Sequence, residues 1–215
     1  MKYLLAILLL LLSGCAPAVQ SGLEPTPSLE VAPPVLTDVP PVQPEATPAT
    51  QGITNVDILA NLPPVSCEAG LTPADQEGPY FKPNSPETLN LFGEGMPGER
   101  LILAGTVVNQ DCLPIPRVRL DFWQADANGN YDNEGYALRG HQYTDNKGRY
   151  YLETVYPGIY STRPIRHIHV KVYSLSGEVL VTQLYFPDQP VDGLTIQLEE
   201  RGDLHLGYFN FVIQD

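Results

Sequence analysis

Two histidines stand two residues apart in a segment with the pattern of a β-strand. The segment reads Arg-His-Ile-His-Val-Lys-Val-Tyr over residues 166–173. Because side chains alternate across a strand, His167 and His169 share one face, and Ile168 lies on the other with its aliphatic neighbours. The aliphatic face is the expected core face, so the paired imidazoles need another reason, and a metal ion is the commonest one. The chain from Tyr131 to His169 also contains tyrosines, and phenolate together with imidazole is a donor set suited to ferric iron.

The 215 residues divide into three parts by composition. A basic start, a short apolar run and Leu-Ser-Gly-Cys at 12–15 resemble a bacterial lipoprotein signal peptide over residues 1–14, with lipid on Cys15. An ordinary secretory signal with a chance cysteine is the alternative. Residues 15–65 are rich in proline and are expected to form an extended linker, and residues 66–215 one domain. This order predicts an exported lipoprotein, anchored to a membrane through Cys15 and facing the cell surface or the periplasm.

The net charge bears on the binding partner, and the cysteine content bears on disulfide formation. The net charge of −13 argues against nucleic acid as a partner. With Cys15 assigned to lipid, Cys67 and Cys112 remain as an even pair in an oxidising compartment, which predicts a disulfide between them. Two unpaired thiols are the alternative, and the spacing of the two cysteines matches no zinc pattern.

Short apolar segments separated by turn signals predict an all-β domain. The expected strands are residues 101–108, 117–124, 149–155, 166–173, 179–185, 194–198 and 206–213. In the second of these, Val118, Leu120 and Phe122 alternate with polar side chains or tryptophan, which predicts one core face. No segment shows helical periodicity with caps. The expected fold is a β-sandwich of about seven to nine strands, like prealbumin or immunoglobulin domains.

Several motifs occur in a fixed order along this domain. They are Glu-Gly-Pro-Tyr at 77–80, Leu-Asp-Phe-Trp-Gln-Ala-Asp-Ala-Asn-Gly-Asn-Tyr at 120–131, Pro-Gly-Ile-Tyr at 157–160, His-Ile-His at 167–169 and Thr-Gln-Leu-Tyr-Phe at 182–186. His-x-His alone is a weak signal, but the ordered set of two tyrosines, His-x-His and glutamine is specific. This set resembles the intradiol ring-cleavage dioxygenases, in the minimal exported form, over most of the folded part.

The resemblance implies that four side chains bind Fe(III). They are Tyr131, Tyr160, His167 and His169, with Tyr160 and His169 axial, Tyr131 and His167 equatorial, and a hydroxide as fifth ligand. A bound cation lowers the pKa of a phenol far below its usual value of about 10, so that tyrosine binds as phenolate. Two phenolates and a hydroxide balance the three charges of the metal, which makes a neutral site that can be buried.

The resemblance also implies a reaction, in which a catechol-type ring is cleaved with O2 to a cis,cis-muconate-type dicarboxylate. Tyr160 would leave the metal and take one catechol proton, while Gln183 and an arginine stabilise the developing negative charge. Many relatives have this arginine where Pro164 stands, so Arg163 is favoured and Arg166 is the alternative. Family members with large helical N-terminal segments use them to dimerise, whereas this chain has a proline-rich segment there, so the resemblance to the minimal relatives implies a monomer or a small homo-oligomer.

Three other interpretations compete with this one. The strand and turn motifs also resemble transthyretin-like surface domains, so a tethered, non-catalytic binding module is the alternative function. Spacing from Asp126 to Asp132 imitates the start of a calcium-binding loop but fails at the sixth and twelfth positions, Tyr131 and Ala137. A two-histidine zinc site would seldom include phenolates. His141 and His205, which have no partners in sequence, are expected to be surface or core histidines.

Overall fold

The computed structural model describes residues 54–215. The predicted signal peptide over residues 1–14, the lipid on Cys15 and the linker as far as residue 53 lie outside the described residues. No helix within the described part is long and apolar enough to cross a membrane.

Nine strands and one short helix make up residues 54–215. The helix is α1 (Asn55–Ala60), and the strands are β1 (Arg100–Val108), β2 (Arg119–Trp123), β3 (Arg139–Tyr143), β4 (Arg149–Val155), β5 (His167–Ser174), β6 (Gly177–Tyr185), β7 (Gln197–Arg201), β8 (Leu204–Tyr208) and β9 (Phe211–Val212). They form two sheets, one in the order β4-β1-β8-β7 with β9 paired to β1, and one in the order β3-β2-β5-β6. The all-β prediction is confirmed, while the likeness to prealbumin or immunoglobulin domains stays a prediction.

Strand β3 is one of two elements that the sequence pattern does not predict, the other being helix α1. Its residues, Arg-Gly-His-Gln-Tyr, show no apolar alternation. The strand forms because it lies at the edge of the second sheet and pairs with β2, where Phe122 is opposite Gly140. Pairing, not local propensity, determines this strand.

The core lies between the two sheets. Leu101 and Leu103 of β1 meet Leu120, Ile168 and Val170 of the second sheet in one cluster of fully buried side chains. Alternation along β2 and β5 therefore predicts the core face correctly. Burying such aliphatic side chains is worth about 1.5–3 kcal/mol each.

A second layer covers the opposite face of the second sheet, where the paired histidines lie. This layer is residues 73–82, called the strap here. The Thr182 hydroxyl donates to the Pro73 carbonyl over 2.8 Å, the Asp75 amide donates to the Val181 carbonyl over 2.9 Å, and Lys171 pairs with Glu77 at 2.8 Å. Because the strap excludes water, both faces of β5 are buried over the histidines.

Helix α1 falls inside the stretch that composition assigns to the linker. Thr54 caps it, since its hydroxyl accepts from the Asp57 amide while the Asp57 carboxylate accepts from the Thr54 amide. Ile58 is buried against Ile102, Ala104 and Leu206 on the outer face of the first sheet. The six-residue helix is too short for helical periodicity to be visible in the sequence, and tertiary packing stabilises it.

The predicted disulfide is present. Cys67 and Cys112 are bridged with their Cα atoms 5.9 Å apart, and the bridge closes a sequence separation of 45 residues. It joins the segment that leads into the strap to the turn after β1.

Replacing Cys67 and Cys112 with serine is expected to lower the free energy of unfolding by about 2–4 kcal/mol, because the unfolded chain regains the entropy of an open loop. Urea unfolding of the double variant, compared with the wild type in the presence and absence of reductant, measures this change. Equal stability of the oxidised wild type and the double variant would contradict it.

Candidate metal centre

The two predicted histidines lie side by side on β5 under the strap. The rings of His167 and His169 are 4.7 Å apart between centroids, and both side chains are almost fully buried. Trp123 of β2 stacks on the His169 ring at 4.8 Å. On the other side is Gly78 of the strap, where an added Cβ would come within 3.0 Å of His169 Cε1. The strap can approach this closely because residue 78 lacks a side chain.

Hydrogen bonds orient both imidazoles towards one phenol. His167 Nδ1 donates to the Ile165 carbonyl over 2.8 Å, which leaves Nε2 with a lone pair. That Nε2 lies 3.3 Å from the Tyr131 hydroxyl oxygen, and His169 Nε2 lies 3.1 Å from the same oxygen. A phenol has a single proton and can donate it to only one of the two nitrogens. The Nε2 atoms of both histidines thus lie within 3.3 Å of the same phenol oxygen, as ligands of one metal ion would.

Tyr131 ends a tight turn whose backbone is held by one carboxylate. Asp126 Oδ1 accepts from the amides of Asn128 and Asn130 over 2.9 and 2.8 Å. Gly129 adopts a positive φ of 83°, which side chains rarely tolerate, and a Cβ there would collide with the Ile159 carbonyl. This close approach brings the loop of Tyr131 against the loop that carries Tyr160.

The second predicted tyrosine is part of the same cluster. The Tyr160 ring lies 5.7 Å from the Tyr131 ring and 6.0 Å from the His167 ring. A third ring, Tyr80 of the strap, stacks on Tyr131 at 4.1 Å. The site role of Tyr80 was not predicted, although it ends the Glu-Gly-Pro-Tyr motif, which could have identified it.

Burial keeps all four side chains uncharged. Burial lowers the pKa of His167 to about 4 and, with the nearby His167 adding to the effect, that of His169 to about 2. Burial also raises the pKa of Tyr131, with Tyr160 adding to the shift, and raises the pKa of Tyr160. The cluster thus holds two neutral imidazoles and two neutral phenols that only a strong positive charge could ionise.

This donor set fits a hard, highly charged cation. Within residues 54–215, no three histidine, cysteine, aspartate or glutamate side chains are grouped as metal ligands. The candidate donors at this cluster are two imidazoles and two phenols. Phenolate oxygen and imidazole nitrogen together suit ferric iron better than zinc or calcium. The calcium interpretation also fails in the structure, because an EF-hand loop joins two helices, whereas the loop from Asp126 to Ala137 joins strands β2 and β3.

The two candidate arginines, Arg163 and Arg166, have different hydrogen-bond partners. Arg163 Nη2 donates to the Tyr185 hydroxyl over 2.8 Å, and its charge acts on both histidines. Arg166 instead donates to the Pro157 carbonyl and pairs with Asp188 at 3.3 Å. The geometry therefore favours Arg163, as the sequence did.

Gln183 is fully buried and lies across the β5–β6 pairing from His169. Its Nε2 donates to the Gln76 carbonyl of the strap over 2.6 Å. The amide thus fastens the strap above the histidines. The roles of Gln183, Arg163 and the four proposed ligands stay predictions.

The buried Arg139 was not singled out from the sequence. Its guanidinium donates to the carbonyls of Tyr80 and Asp132 and lies 5.9 Å from the Tyr131 ring centroid. It holds the strap and the Tyr131 loop together. The remaining histidines lie elsewhere, His141 beside Ser85 and His205 beside Glu99, as expected.

A cavity of about 360 Å³ opens on the tyrosine side of the cluster. It is lined by Tyr80, Gly129, Asn130, Tyr131, Asn133, Tyr160, Ser161 and Thr162. Both proposed tyrosine ligands face it, so a small aromatic molecule could reach the cluster from this side.

Comparisons with known proteins agree with this geometry. The family model described as "Dioxygenase" matches residues 76–197, more than half of the chain. The protocatechuate 3,4-dioxygenase beta chain of Burkholderia cepacia is 32% identical in an alignment 123 positions long, which covers 48% of this chain and 52% of that one. This chain belongs to the intradiol ring-cleavage dioxygenase family. It spans about half or less of the length of the first curated relatives that it matches.

Solved structures of the family share the fold. The dioxygenase domain of a dioxygenase–carbohydrate-binding fusion from Streptomyces sp. SirexAA-E is 43% identical, with a TM-score of 0.64, and the match covers 67% of this chain and 98% of that one. The 3-chlorocatechol 1,2-dioxygenase of Rhodococcus opacus 1CP is 26% identical, with a TM-score of 0.61 over 68% of this chain and 74% of that one. The family predicted from the motifs is confirmed.

Gly129→Ala is expected to separate the two tyrosine loops, because its Cβ would meet the Ile159 carbonyl. Gly70→Ala is the matched control, since Gly70 has a similar φ of 79° with nothing within 4 Å of its Cβ. Urea unfolding should show Gly129→Ala to be less stable than Gly70→Ala by about 1–3 kcal/mol, with less ferric iron retained per chain. Equal stability and iron retention would contradict the close approach.

The metal-free protein is expected to lose stability as the pH falls from about 6.5 towards 4. Below the ordinary histidine pKa of about 6.5, the unfolded chain binds protons that the buried His167 and His169 exclude, so lower pH favours unfolding. The loss is at most about 1.4 kcal/mol per pH unit for each histidine. Urea unfolding at several pH values, on the wild type and on His167→Gln/His169→Gln, isolates this contribution. Identical pH slopes would refute it.

Proposed function

We propose that this protein is a non-haem Fe(III) dioxygenase that cleaves catechol-type rings. The observation that carries the proposal is the convergence of two imidazole nitrogens on the Tyr131 hydroxyl, with Tyr160 beside them. Family membership supports the same reaction. A non-catalytic binding module offers no reason for two neutral histidines to be buried against two tyrosines.

His167, His169, Tyr131 and Tyr160 would hold the iron. Bound there, ferric iron would supply Lewis acidity and activate a catechol towards O2. The reaction consumes one O2 per ring and breaks the bond between the two ring carbons that carry oxygen. One atom of O2 is added to each of these carbons, so the product is a cis,cis-muconate-type dicarboxylate.

Tyr160 is placed to exchange a proton with the substrate. Both tyrosines line the cavity, but Tyr160 precedes the exposed Ser161 and Thr162, whereas Tyr131 also packs against Tyr80 and lies within 3.3 Å of a nitrogen of each histidine. A phenolate at Tyr160 would accept one proton from a catechol hydroxyl and become a neutral phenol, the form that burial favours. Tyr160 thus acts as the general base.

Arg163 would stabilise negative charge that develops on the substrate. A half-buried guanidinium in a site closed to water on the strap side acts more strongly than one in solvent. Gln183 keeps the strap closed over His169 through its bond to Gln76. Water is excluded from that side, while the cavity admits the substrate.

The substrate class follows from family membership alone and includes catechol, protocatechuate and hydroxyquinol. The expected export, the lipid anchor on Cys15 and the monomeric or small homo-oligomeric state remain part of the proposal. An exported enzyme of this kind would act on aromatic compounds outside the cytoplasm.

Iron loading tests the proposal through colour and turnover. The ferric protein should be red from tyrosinate-to-iron charge transfer, and catechol should shift the band before O2 is consumed. Tyr131→Phe should weaken and shift the charge-transfer band, because Tyr160 is then the one remaining phenolate of the proposed ligand set, and it should lower activity by more than the roughly 10–100-fold typical of residues behind the ligands. Tyr143→Phe, an exposed tyrosine beside His141, should keep both.

A colourless protein after ferric loading, with no oxygen uptake on any of the three catechols, would overturn the proposal and favour the binding module. Product analysis separates the remaining possibilities. A dicarboxylate that contains both atoms of labelled O2 supports ring cleavage, whereas a quinone without labelled oxygen contradicts it.

A further inference from the structure

Tyr185 lies on the strand next to the histidine strand, and its hydroxyl is hydrogen-bonded to both Arg163 and Asp75. It is on β6 directly across from His167, and only 3% of its surface is exposed. Its hydroxyl accepts from Arg163 Nη2 over 2.8 Å and lies 2.5 Å from Asp75 Oδ2. Because a carboxylate only accepts, the single phenol proton points to Asp75, and the oxygen lone pairs face Arg163.

Asp75 is fixed in space by the strap. Its amide donates to the Val181 carbonyl of β6 over 2.9 Å, and the neighbouring Pro73 and Gln76 are tied to Thr182 and Gln183. The carboxylate therefore sits at a defined point above β6. Burial, together with the hydrogen bond to Asp75, raises the pKa of Tyr185 to about 12, so the phenol keeps its proton at neutral pH.

Arg163 is held at two points. Its amide donates to the Tyr160 carbonyl over 2.9 Å, so the residue starts within one turn of a proposed ligand. Among residues 54–215, the Tyr185 hydroxyl is the one hydrogen-bond partner of its guanidinium, which forms no ion pair there. Several N–H donors therefore remain available to whatever occupies the site.

We propose that Tyr185 and Asp75 are positioning residues that hold the Arg163 guanidinium at the reacting end of the substrate. This inference rests on the proposed function. A free arginine side chain loses rotamer entropy when it is fixed, and an arginine that is already hydrogen-bonded does not lose it again during the reaction. A direct Asp–Arg ion pair would also fix the side chain but would neutralise much of its charge. The phenol between them fixes the guanidinium and leaves its charge for the substrate.

A double-mutant cycle on the iron-loaded protein tests whether Tyr185 acts through Arg163. Tyr185→Phe removes the hydroxyl and should lower kcat by roughly 10–100-fold with little change in KM. Arg163→Gln should lower kcat at least as much, and adding Tyr185→Phe to it should cause no further loss. Tyr150→Phe is the control, because it removes another buried hydroxyl, bonded to the Phe209 carbonyl in the other sheet. Its kcat should stay at the wild-type value.

Asp75 provides a graded second test. Asp75→Asn keeps an oxygen that can accept the phenol proton and should retain more activity than Asp75→Ala. Additive losses in the cycle, or equal losses for Asn and Ala, would overturn the positioning role. Thermal melting of each variant checks that these differences arise in folded protein.

A readout without iron separates this inference from the proposed function. In the metal-free wild type, NMR of the labelled Arg163 guanidinium should show slow hydrogen exchange and restricted rotation. Both should be lost in Tyr185→Phe but kept in Tyr150→Phe. If the wild type cleaves no catechol, the proposed function fails, while the NMR comparison still supports or rejects the Asp75–Tyr185–Arg163 chain. A mobile guanidinium in the wild type would reject it.

Discussion

Burial of two neutral imidazoles on the outer face of a sheet is the constraint on which the rest of the site depends. A strand presents His167 and His169 on one face automatically, but it does not keep water from them. The strap does so from one side, through bonds to β6 and the contact of Gly78 with His169. Without water, neither ring can be protonated at neutral pH, so both nitrogens remain available as ligands.

Backbone geometry brings the two tyrosine loops together beside the histidines. The loops of Tyr131 and Tyr160 are in contact because Gly129 and Gly158 leave no side chains between them. Neither loop is a regular element, yet carboxylate-to-amide bonds from Asp126 make the first one rigid. Rigid loops set on two packed sheets hold donor atoms accurately, which a metal site requires.

Two arginines, Arg139 and Arg163, provide positive charge near the site in a chain of net charge −13. Arg139 is bound by carbonyls and Arg163 by a phenol, so neither guanidinium pairs directly with a carboxylate of residues 54–215. Both charges act on the phenol of Tyr131 and on His169. The charges that disfavour protonation of the histidine also favour ionisation of the phenol.

The sequence by itself determined the family, the strand that pairs His167 with His169, the core face of β2 and the cysteine pair, because these depend on alternation and on local motifs. The tertiary structure alone decided that the histidine face is buried and that helix α1 packs on the first sheet. It also placed Arg163 against Tyr185 and Arg166 against the Pro157 carbonyl, and it brought Tyr80 and Arg139, which were not predicted, next to Tyr131. Periodicity reports which side chains share a face, but burial depends on segments that are distant in the chain, such as the strap over β5 and β6.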